Sequence, residues 1–154
     1  MRIRKASNDD LEAMVSLQKK TPQAAQWTQA DYAELAGDPW GLILVVELDG
    51  TTPPALAGFA AFHSVMDEAE LRNMAVDPAK QRQGLGQELL AEGRKRLQAQ
   101  GVRRIYLEVR ASNLSAQRFY YSAGFGLRSR RKDYYSDPRE DGLVLSLELF
   151  PPSA

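Results

Sequence analysis

The amino-acid sequence predicts an α/β fold: a mixed, mostly antiparallel sheet of six to seven strands with a parallel step at its centre, flanked by about four helices. Two observations predict it. In the first half of the chain, apolar runs of strand length follow one another across turn residues, which is typical of antiparallel neighbours. In the second half, a strand, a glycine-bearing helix and another strand follow in order, which is typical of a parallel crossover.

The first half begins with a short strand from Ile3, followed by two helices. Ser7 to Asp10 offer N-cap side chains for the first helix, and Thr28 offers one for the second. The run from Leu42 to Val46 is apolar at every position, so we expect its strand to be buried on both faces. The three strands of this half are expected at residues 41–48, 55–65 and 69–76.

The second half is organised around a helix expected over residues 84–100. Its leucines keep helical spacing, and Gly101 suits the position just after the helix. A strand at 104–109, a helix at 115–123 and a closing antiparallel pair at 125–134 and 143–149 complete the order. We expect residues 1–154 to form a single domain, which is long enough to bury a core without disulfides or metals.

Composition excludes several kinds of site. The chain has no cysteine, so thiolate metal sites and a cysteine nucleophile are excluded. His63 is the single histidine, and we expect it to be structural because no carboxylate partner is evident near it in sequence. The N-terminus lacks the apolar stretch of a signal peptide, and the longest apolar run is too short to span a bilayer. We therefore expect a cytoplasmic protein without a metal or a membrane partner.

Charge is distributed unevenly along a chain whose net charge is zero. Residues 1–71 carry 5 basic and 11 acidic side chains, residues 72–132 carry 14 and 4, and residues 133–154 carry 1 and 5. A basic middle between acidic ends suits an anionic ligand beside a cationic one, although solvated helix faces explain the same pattern. No nucleic-acid module is recognisable, so we do not expect nucleic acid as a partner.

The segment from Gln81 to Gly86 lies between a strand and a helix N-terminus. Backbone N–H groups there lack partners and the helix dipole is positive, which makes a natural anion site. Gly84 and Gly86 let the backbone approach a phosphate closely, and Arg82 adds a positive charge. The segment matches neither the P-loop nor the Rossmann fingerprint, and by themselves two glycines before a helix are more often packing or turn residues.

The loop is best interpreted together with three other segments: Met74–Pro78 before it, and Leu107–Asn113 and Phe119–Phe125 after it. With Gln81, Gly84 and Gly86, they resemble the GNAT superfamily of acetyl-CoA-dependent acetyltransferases. The resemblance covers residues 71–125 and implies acetyl-CoA as co-substrate. It implies that the cofactor is held by Met74, Ala75 and Val76 along its pantetheine and acetyl end, by Arg82, Gln83, Gly84, Leu85, Gly86 and Gln87 at its pyrophosphate, and by Asn113 on the opposite side.

Within the superfamily the chain resembles the RimI type, the ribosomal-protein-alanine N-acetyltransferases. The resemblance implies that Glu108 is the general base and Tyr120 the general acid, with Tyr121 as the competing choice. An α-amino group has a pKa near 8, so a carboxylate suffices as its base. Glu108 is also explained as the polar face of a strand, and Tyr120 as core packing. Without cysteine, direct attack of the amine in a ternary complex is favoured, with a backbone N–H near Val76 meeting the oxyanion.

The resemblance implies a protein N-terminus as the acceptor, such as that of a ribosomal protein. The residues expected to shape the acceptor pocket are Trp27, Tyr32, Tyr134 and Tyr135, although Tyr134 and Tyr135 are also explained as packing residues of a terminal hairpin. The first 40 residues otherwise resemble the RimI type poorly, which leaves a small-molecule amine as an alternative acceptor. A non-catalytic acyl-CoA-binding module is a further alternative, and both a monomer and a homodimer remain open.

Overall fold

The computed structural model describes residues 1–48, 55–81 and 83–149. Within these ranges the chain forms seven strands and four α-helices. The strands are β1 (Arg2–Lys5), β2 (Gly41–Leu48), β3 (Ala55–Val65), β4 (Glu68–Val76), β5 (Arg104–Arg110), β6 (Gly126–Tyr135) and β7 (Glu140–Glu148). The helices are α1 (Leu11–Lys19), α2 (Gln29–Gly37), α3 (Leu85–Ala99) and α4 (Leu114–Ser122).

The seven strands form one sheet in the order β1-β2-β3-β4-β5-β7-β6. Neighbouring strands are antiparallel except for β4 and β5, the one parallel pair among the described strands. The predicted mixed sheet with a central parallel step is therefore confirmed. The chain runs from β4 through α3 to β5, as the sequence pattern indicated.

Strand β2 separates two hydrophobic cores. Its residues Leu42, Leu44 and Val46 belong to a cluster that includes Leu89 and Leu97 of α3. Ile43 and Val45 belong to a second cluster, under α1 and α2. Alternate residues of a strand face opposite sides of the sheet, so the uninterrupted apolar run is explained by burial on both faces, as predicted.

Strand β4 changes face part-way along its length. A β-bulge lies where Phe62 of β3 pairs with Leu71 and the adjacent Ala61 pairs with Asn73, so Arg72 is the extra residue on β4. Before the bulge, Leu71 packs into the α3 core. After it, Asn73 is buried and Ala75 packs under α1 and α2. The bulge was not predicted. Because of it, Asn73 and Ala75 face α1 and α2, whereas Leu71 faces α3.

Helix boundaries follow the predicted capping residues closely. Thr28 Oγ1 accepts a hydrogen bond from the Asp31 backbone N–H at 3.1 Å, and the Asp31 carboxylate accepts one from the Thr28 backbone N–H at 2.8 Å. Ser7 and Asp10 form the corresponding box before α1. None of the helices in the described ranges is both long and apolar enough to cross a membrane.

Candidate active site

A cleft opens where β4 and β5 separate. The two strands pair only from Glu68 to Glu70 and from Arg104 to Tyr106. Beyond this point β4 stays with β3 while β5 stays with β7, which leaves a cleft of about 1100 Å³ between them. Of the sixteen predicted site residues, twelve line it: Met74, Ala75, Val76, Gly84, Leu85, Gly86, Gln87, Glu108, Asn113, Tyr120, Tyr134 and Tyr135.

The β4 side of the cleft offers main-chain groups. The Asp77 N–H donates to the Ala57 carbonyl at 2.8 Å, so Asp77 and Ala75 direct their backbone groups to β3. By strand alternation, Met74 and Val76 direct theirs to the other edge, where β5 has separated. On this edge the Met74 N–H donates to Asn73 Oδ1 at 3.0 Å, and the Val76 carbonyl accepts from Gln81 Nε2 at 3.3 Å. The Met74 carbonyl and the Val76 N–H therefore remain for an extended ligand arm laid along the edge.

The glycine loop forms one end of the cleft, and its two glycines serve different purposes. Gly84 is the N-cap of α3, with φ at 79°, and a Cβ there would meet nothing within 4 Å. A Cβ on Gly86 would lie 2.9 Å from Phe119 Cζ and 3.1 Å from Met74 Cε. Gly84 thus allows the left-handed turn beside open space, whereas Gly86 allows α3 to pack against α4.

The first N–H groups of α3 point out of the helix at this loop, because no preceding turn supplies acceptors. They belong to residues that line the cleft, namely Leu85, Gly86 and Gln87. Gln83 is exposed and does not line the cleft. The predicted Arg82 lies outside the described residues.

Asn113 lies on the opposite wall as the N-cap of α4. Its Oδ1 accepts a hydrogen bond from the Ala116 N–H at 3.1 Å. Its side-chain amide nitrogen has no partner within the described residues, so it remains a donor beside the cleft. Capping and ligand binding are therefore compatible at this residue.

Glu108 lies on β5 and faces away from α3. Its neighbours Leu107 and Val109 belong to the α3 core, so alternation places the carboxylate on the other face of the sheet. The side chain is 17% exposed, and Oε1 lies 3.5 Å from Arg131 Nε. The Tyr134 hydroxyl also hydrogen-bonds to this carboxylate, which raises the pKa of Tyr134 above its ordinary value.

Tyr134 and Tyr135 form an aromatic wall beside Glu108. Their rings meet edge to face at a centroid distance of 5.1 Å, and the guanidinium of Arg110 lies 4.4 Å from the centre of the Tyr135 ring. A Cβ on Gly142 would lie 3.1 Å from Tyr134 and 3.2 Å from Tyr135. Gly142 thus makes room for both rings. The sequence did not indicate this role, because Gly142 lies on β7 and the two tyrosines lie on β6.

Tyr120 lies on α4 and packs against the α3 core. Phe119 and Phe125 contact its ring edge to face at centroid distances of 5.2 and 5.5 Å. Burial raises the pKa of its phenol above the ordinary value, and its hydroxyl has no hydrogen-bond partner in the described part of the chain. Tyr121 is 42% exposed and does not line the cleft, so the geometry favours Tyr120 of the two.

The sequence pattern of the acetyltransferase (GNAT) family matches residues 10–125, a span that contains both β4 and β5 and most of the cleft. The chain belongs to the GNAT acetyltransferase family. It is accordingly an acetyl-CoA-dependent N-acetyltransferase, as predicted.

Individual relatives extend the similarity to nearly the whole chain. The ribosomal protein bS18-alanine N-acetyltransferase of Escherichia coli K12 is 37% identical over 142 residues, which covers 91% of this chain and 92% of the relative. The enzyme of the same name from Salmonella typhimurium is 34% identical, covering 93% and 94%. The crystal structure of the Escherichia coli ribosomal-protein-S18-alanine N-acetyltransferase has a TM-score of 0.84 and 34% identity, covering 99% of this chain and 96% of that one.

Two residues predicted to shape the acceptor pocket of this GNAT enzyme do not reach the cleft. Tyr32 is fully buried, and its ring packs against Phe59 at a centroid distance of 5.5 Å. Trp27 lies against Tyr32 at 5.1 Å. Direct contact between Tyr32 and an acceptor is therefore excluded in this structure. The loop that precedes Trp27 lines the cleft instead, over residues 21–25.

His63 has the carboxylate partner that the sequence did not reveal. Its Nε2 lies 3.1 Å from Asp38 Oδ2, and its Nδ1 lies 3.3 Å from a terminal nitrogen of Arg72. Arg72 also donates to Glu70 Oε1 at 3.1 Å, and both of these residues line the cleft. The expectation that no carboxylate lies near His63 was wrong, because Asp38 comes from a turn 25 residues earlier. His63 thus contacts Asp38 and Arg72, which agrees with the structural role expected of it.

Proposed function

We propose that this GNAT enzyme transfers the acetyl group of acetyl-CoA to the α-amino group of an N-terminal alanine, that of a ribosomal protein of the bS18 type. The observation that carries the proposal is the arrangement of Glu108 with Tyr134 and Tyr135 at one end of the cleft, in a chain that is similar to bS18-alanine N-acetyltransferases over nine-tenths of its length. A ribosomal-protein acceptor would also place the reaction in the cytoplasm.

The cleft fits the cofactor at both of its ends. Acetyl-CoA supplies an activated acetyl group, and the thiolate of coenzyme A is the leaving group. The Met74 carbonyl and the Val76 N–H on this edge suit the pantetheine arm, and the α3 N-terminus suits the pyrophosphate. Gly84 has φ at 79° and open space beside it. A residue with a Cβ would be strained at this φ and would fill part of that space, so glycine suits close approach of the pyrophosphate. The outward-facing amide of Asn113 suits the arm from the other wall.

Glu108 is proposed to be the general base. An N-terminal amine is partly protonated at neutral pH, and a carboxylate within reach accepts its proton as the amine attacks. Arg131 and Tyr134 hold the carboxylate in place from β6. The aromatic wall of Tyr134 and Tyr135 is proposed to contact the first residues of the acceptor chain.

Tyr120 is proposed to be the general acid. Its raised pKa keeps the phenol protonated at neutral pH, so a proton is available for the departing thiolate. Its hydroxyl is free of other partners within the described residues, which leaves its hydrogen for this purpose. Removal of the hydroxyl leaves the ring packing against Phe119 and Phe125 in place.

The test is steady-state acetylation of a panel of acceptors, followed by mass spectrometry. The panel holds a peptide with the bS18 N-terminal sequence, the same peptide with its α-amino group blocked, free amino acids and polyamines. We expect the unblocked peptide to have the highest kcat/KM and the blocked peptide to be inert. Faster turnover of a polyamine or an amino acid would overturn the proposed acceptor while leaving the enzyme class intact.

A further inference from the structure

A buried polar network connects β4 to the loop between α1 and α2. Its three side chains, Gln18, Tyr32 and Asn73, are each no more than 5% exposed. Asn73 Nδ2 donates to the Tyr32 hydroxyl at 2.8 Å, and that hydroxyl donates to Gln18 Oε1. Gln18 Nε2 in turn donates to the Trp27 carbonyl. Polar groups this deeply buried are costly unless every one is paired, so the network has a defined geometry.

Asn73 also binds the loop backbone directly. Its Nδ2 donates to the Ala25 carbonyl at 2.8 Å, and its Oδ1 accepts from the Ala25 N–H at 3.1 Å. The same Oδ1 accepts from the Met74 N–H at 3.0 Å. One amide side chain thus connects a loop residue, the β4 backbone and the Tyr32 hydroxyl.

The loop lies on the same face of the sheet as the general base. Residues 21–25 line the cleft, and the core beneath them is the one under α1 and α2. Glu108 points to this face as well, since its strand neighbours belong to the opposite core. The β-bulge at Arg72 is what sends Asn73 to this face. The network therefore fixes the cleft wall formed by residues 21–25, on the same face of the sheet as Glu108.

We propose that Asn73 and Tyr32 are positioning residues for the acceptor: they hold the loop of residues 21–25 against β4 so that the incoming chain and Glu108 meet in a fixed geometry. Neither side chain takes part in the chemistry. The choice of acceptor peptide rests on the proposed function, whereas the attachment of the loop does not.

Tyr32→Phe is the decisive variant because it removes one oxygen that does not line the cleft. The ring keeps its packing against Phe59 and Trp27, but Asn73 and Gln18 each lose a partner. We expect the KM for the bS18-type peptide to rise about tenfold, the effect of leaving buried polar groups unpaired. The KM for acetyl-CoA should stay within about twofold, because its half of the cleft is untouched.

Thr28→Ala is the matched control. It weakens the start of α2 by removing the N-cap side chain, yet removes no hydrogen bond of the network. We expect it to lower the melting temperature without raising the KM for the peptide. If Tyr32→Phe and Thr28→Ala changed the KM for the peptide equally, Tyr32 would contribute only to the stability of the fold, and the proposal would be overturned.

Hydrogen exchange of the Ala25 amide tests the attachment without any acceptor. Exchange should accelerate in Asn73→Ala and Tyr32→Phe and stay unchanged in Thr28→Ala, because the Ala25 N–H donates to Asn73. Unchanged exchange in Asn73→Ala would contradict the proposal. If the peptide were inert with the wild-type enzyme while exchange followed this pattern, the proposed acceptor would fail and the positioning of the loop would stand.

Discussion

Glu108 and Tyr120 line the same cleft from opposite faces of the sheet. Glu108 projects from β5 to the face that carries α1 and α2, whereas Tyr120 packs with α4 against the α3 core. The cleft passes between β4 and β5, so one cavity reaches both faces. The proposed base and the proposed acid therefore approach the cleft from different faces and do not compete for space.

Replacement of Glu108 tests the proposed base. Glu108→Gln keeps the size of the side chain but removes its basicity, so we expect kcat to fall by about 10² to 10⁴. Binding of acetyl-CoA, measured by calorimetry, should not change. Glu148→Gln is the control, because this carboxylate also belongs to the sheet but pairs with Arg104 away from the cleft. A kcat within about threefold of wild type in Glu108→Gln would exclude a general base at this position.

Phenylalanine variants of the adjacent Tyr120 and Tyr121 test which of the two is the general acid. Tyr120→Phe should lower kcat by about 10² or more, since the proton for the leaving thiol is lost. Tyr121→Phe should have little effect, because Tyr121 is exposed outside the cleft. Steady-state rates of the two variants decide between them, and a larger loss in Tyr121→Phe would reverse the assignment.

The pH dependence of kcat provides a second test of Tyr120. Burial raises the pKa of this phenol above its ordinary value of about 10, so the group stays protonated through the neutral and mildly alkaline range. We therefore expect that deprotonation of Tyr120 does not lower kcat below about pH 10. Any alkaline fall of kcat below that pH should also be present in Tyr120→Phe. A fall near pH 8 that Tyr120→Phe abolishes would mean that the pKa of the acid lies below its ordinary value, contrary to the structure.

The two loop glycines should respond differently to alanine. Gly84→Ala strains a backbone with φ at 79°, costing about 1 kcal/mol, and narrows the cofactor cradle, so the KM for acetyl-CoA should rise. Gly86→Ala forces a methyl group against Phe119, and Phe119→Leu should relieve that clash in the double variant. Thermal unfolding and acetyl-CoA titration measure both effects. A Gly86→Ala variant that Phe119→Leu fails to rescue would contradict the packing role.

Acid stability should depend on Asp10. Its hydrogen bond from Arg4 lowers its pKa in the folded protein. A lowered folded-state pKa means that the stabilisation is present above the unfolded pKa, near 3.9, and is lost as the pH falls through the folded value. Asp10→Asn should thus reduce the unfolding free energy by about 2 kcal/mol at pH 7 and by much less at pH 2. An equal loss at both pH values would rule out this ionic origin.

Local patterns in the sequence predicted most of the fold. The N-cap at Thr28, the doubly buried run from Leu42 to Val46 and the turn at Gly84 are each encoded within a few residues. Family resemblance added the cleft residues that lie along β4, α3 and β5. The bounds of β2 and β3 match those expected, and the other strand and helix boundaries differ by at most three residues.

What the sequence did not predict depends on contacts between distant segments. Asn73 binds Ala25 across 48 positions, and His63 meets Asp38 across 25. Tyr32 was expected in the acceptor pocket because Trp27, Thr28 and Tyr32 resemble the N-terminal helix of the RimI type. Its ring is instead buried, and its hydroxyl accepts a hydrogen bond from Asn73, which the bulge at Arg72 directs to this face. Without the register of β3 and β4, neither the bulge nor this network is visible.

Location of the transferred acetyl group tests the central claim most directly. A peptide with the bS18 N-terminal sequence and an internal lysine is incubated with acetyl-CoA and either wild-type enzyme or Glu108→Gln, and fragmentation mass spectrometry then identifies the modified nitrogen. We expect the wild-type enzyme to acetylate the alanine α-nitrogen and Glu108→Gln to do so at least a hundredfold more slowly, a loss of about 2.7 kcal/mol in transition-state stabilisation. Acetylation of the lysine side chain, or equal rates for the two enzymes, would contradict the account.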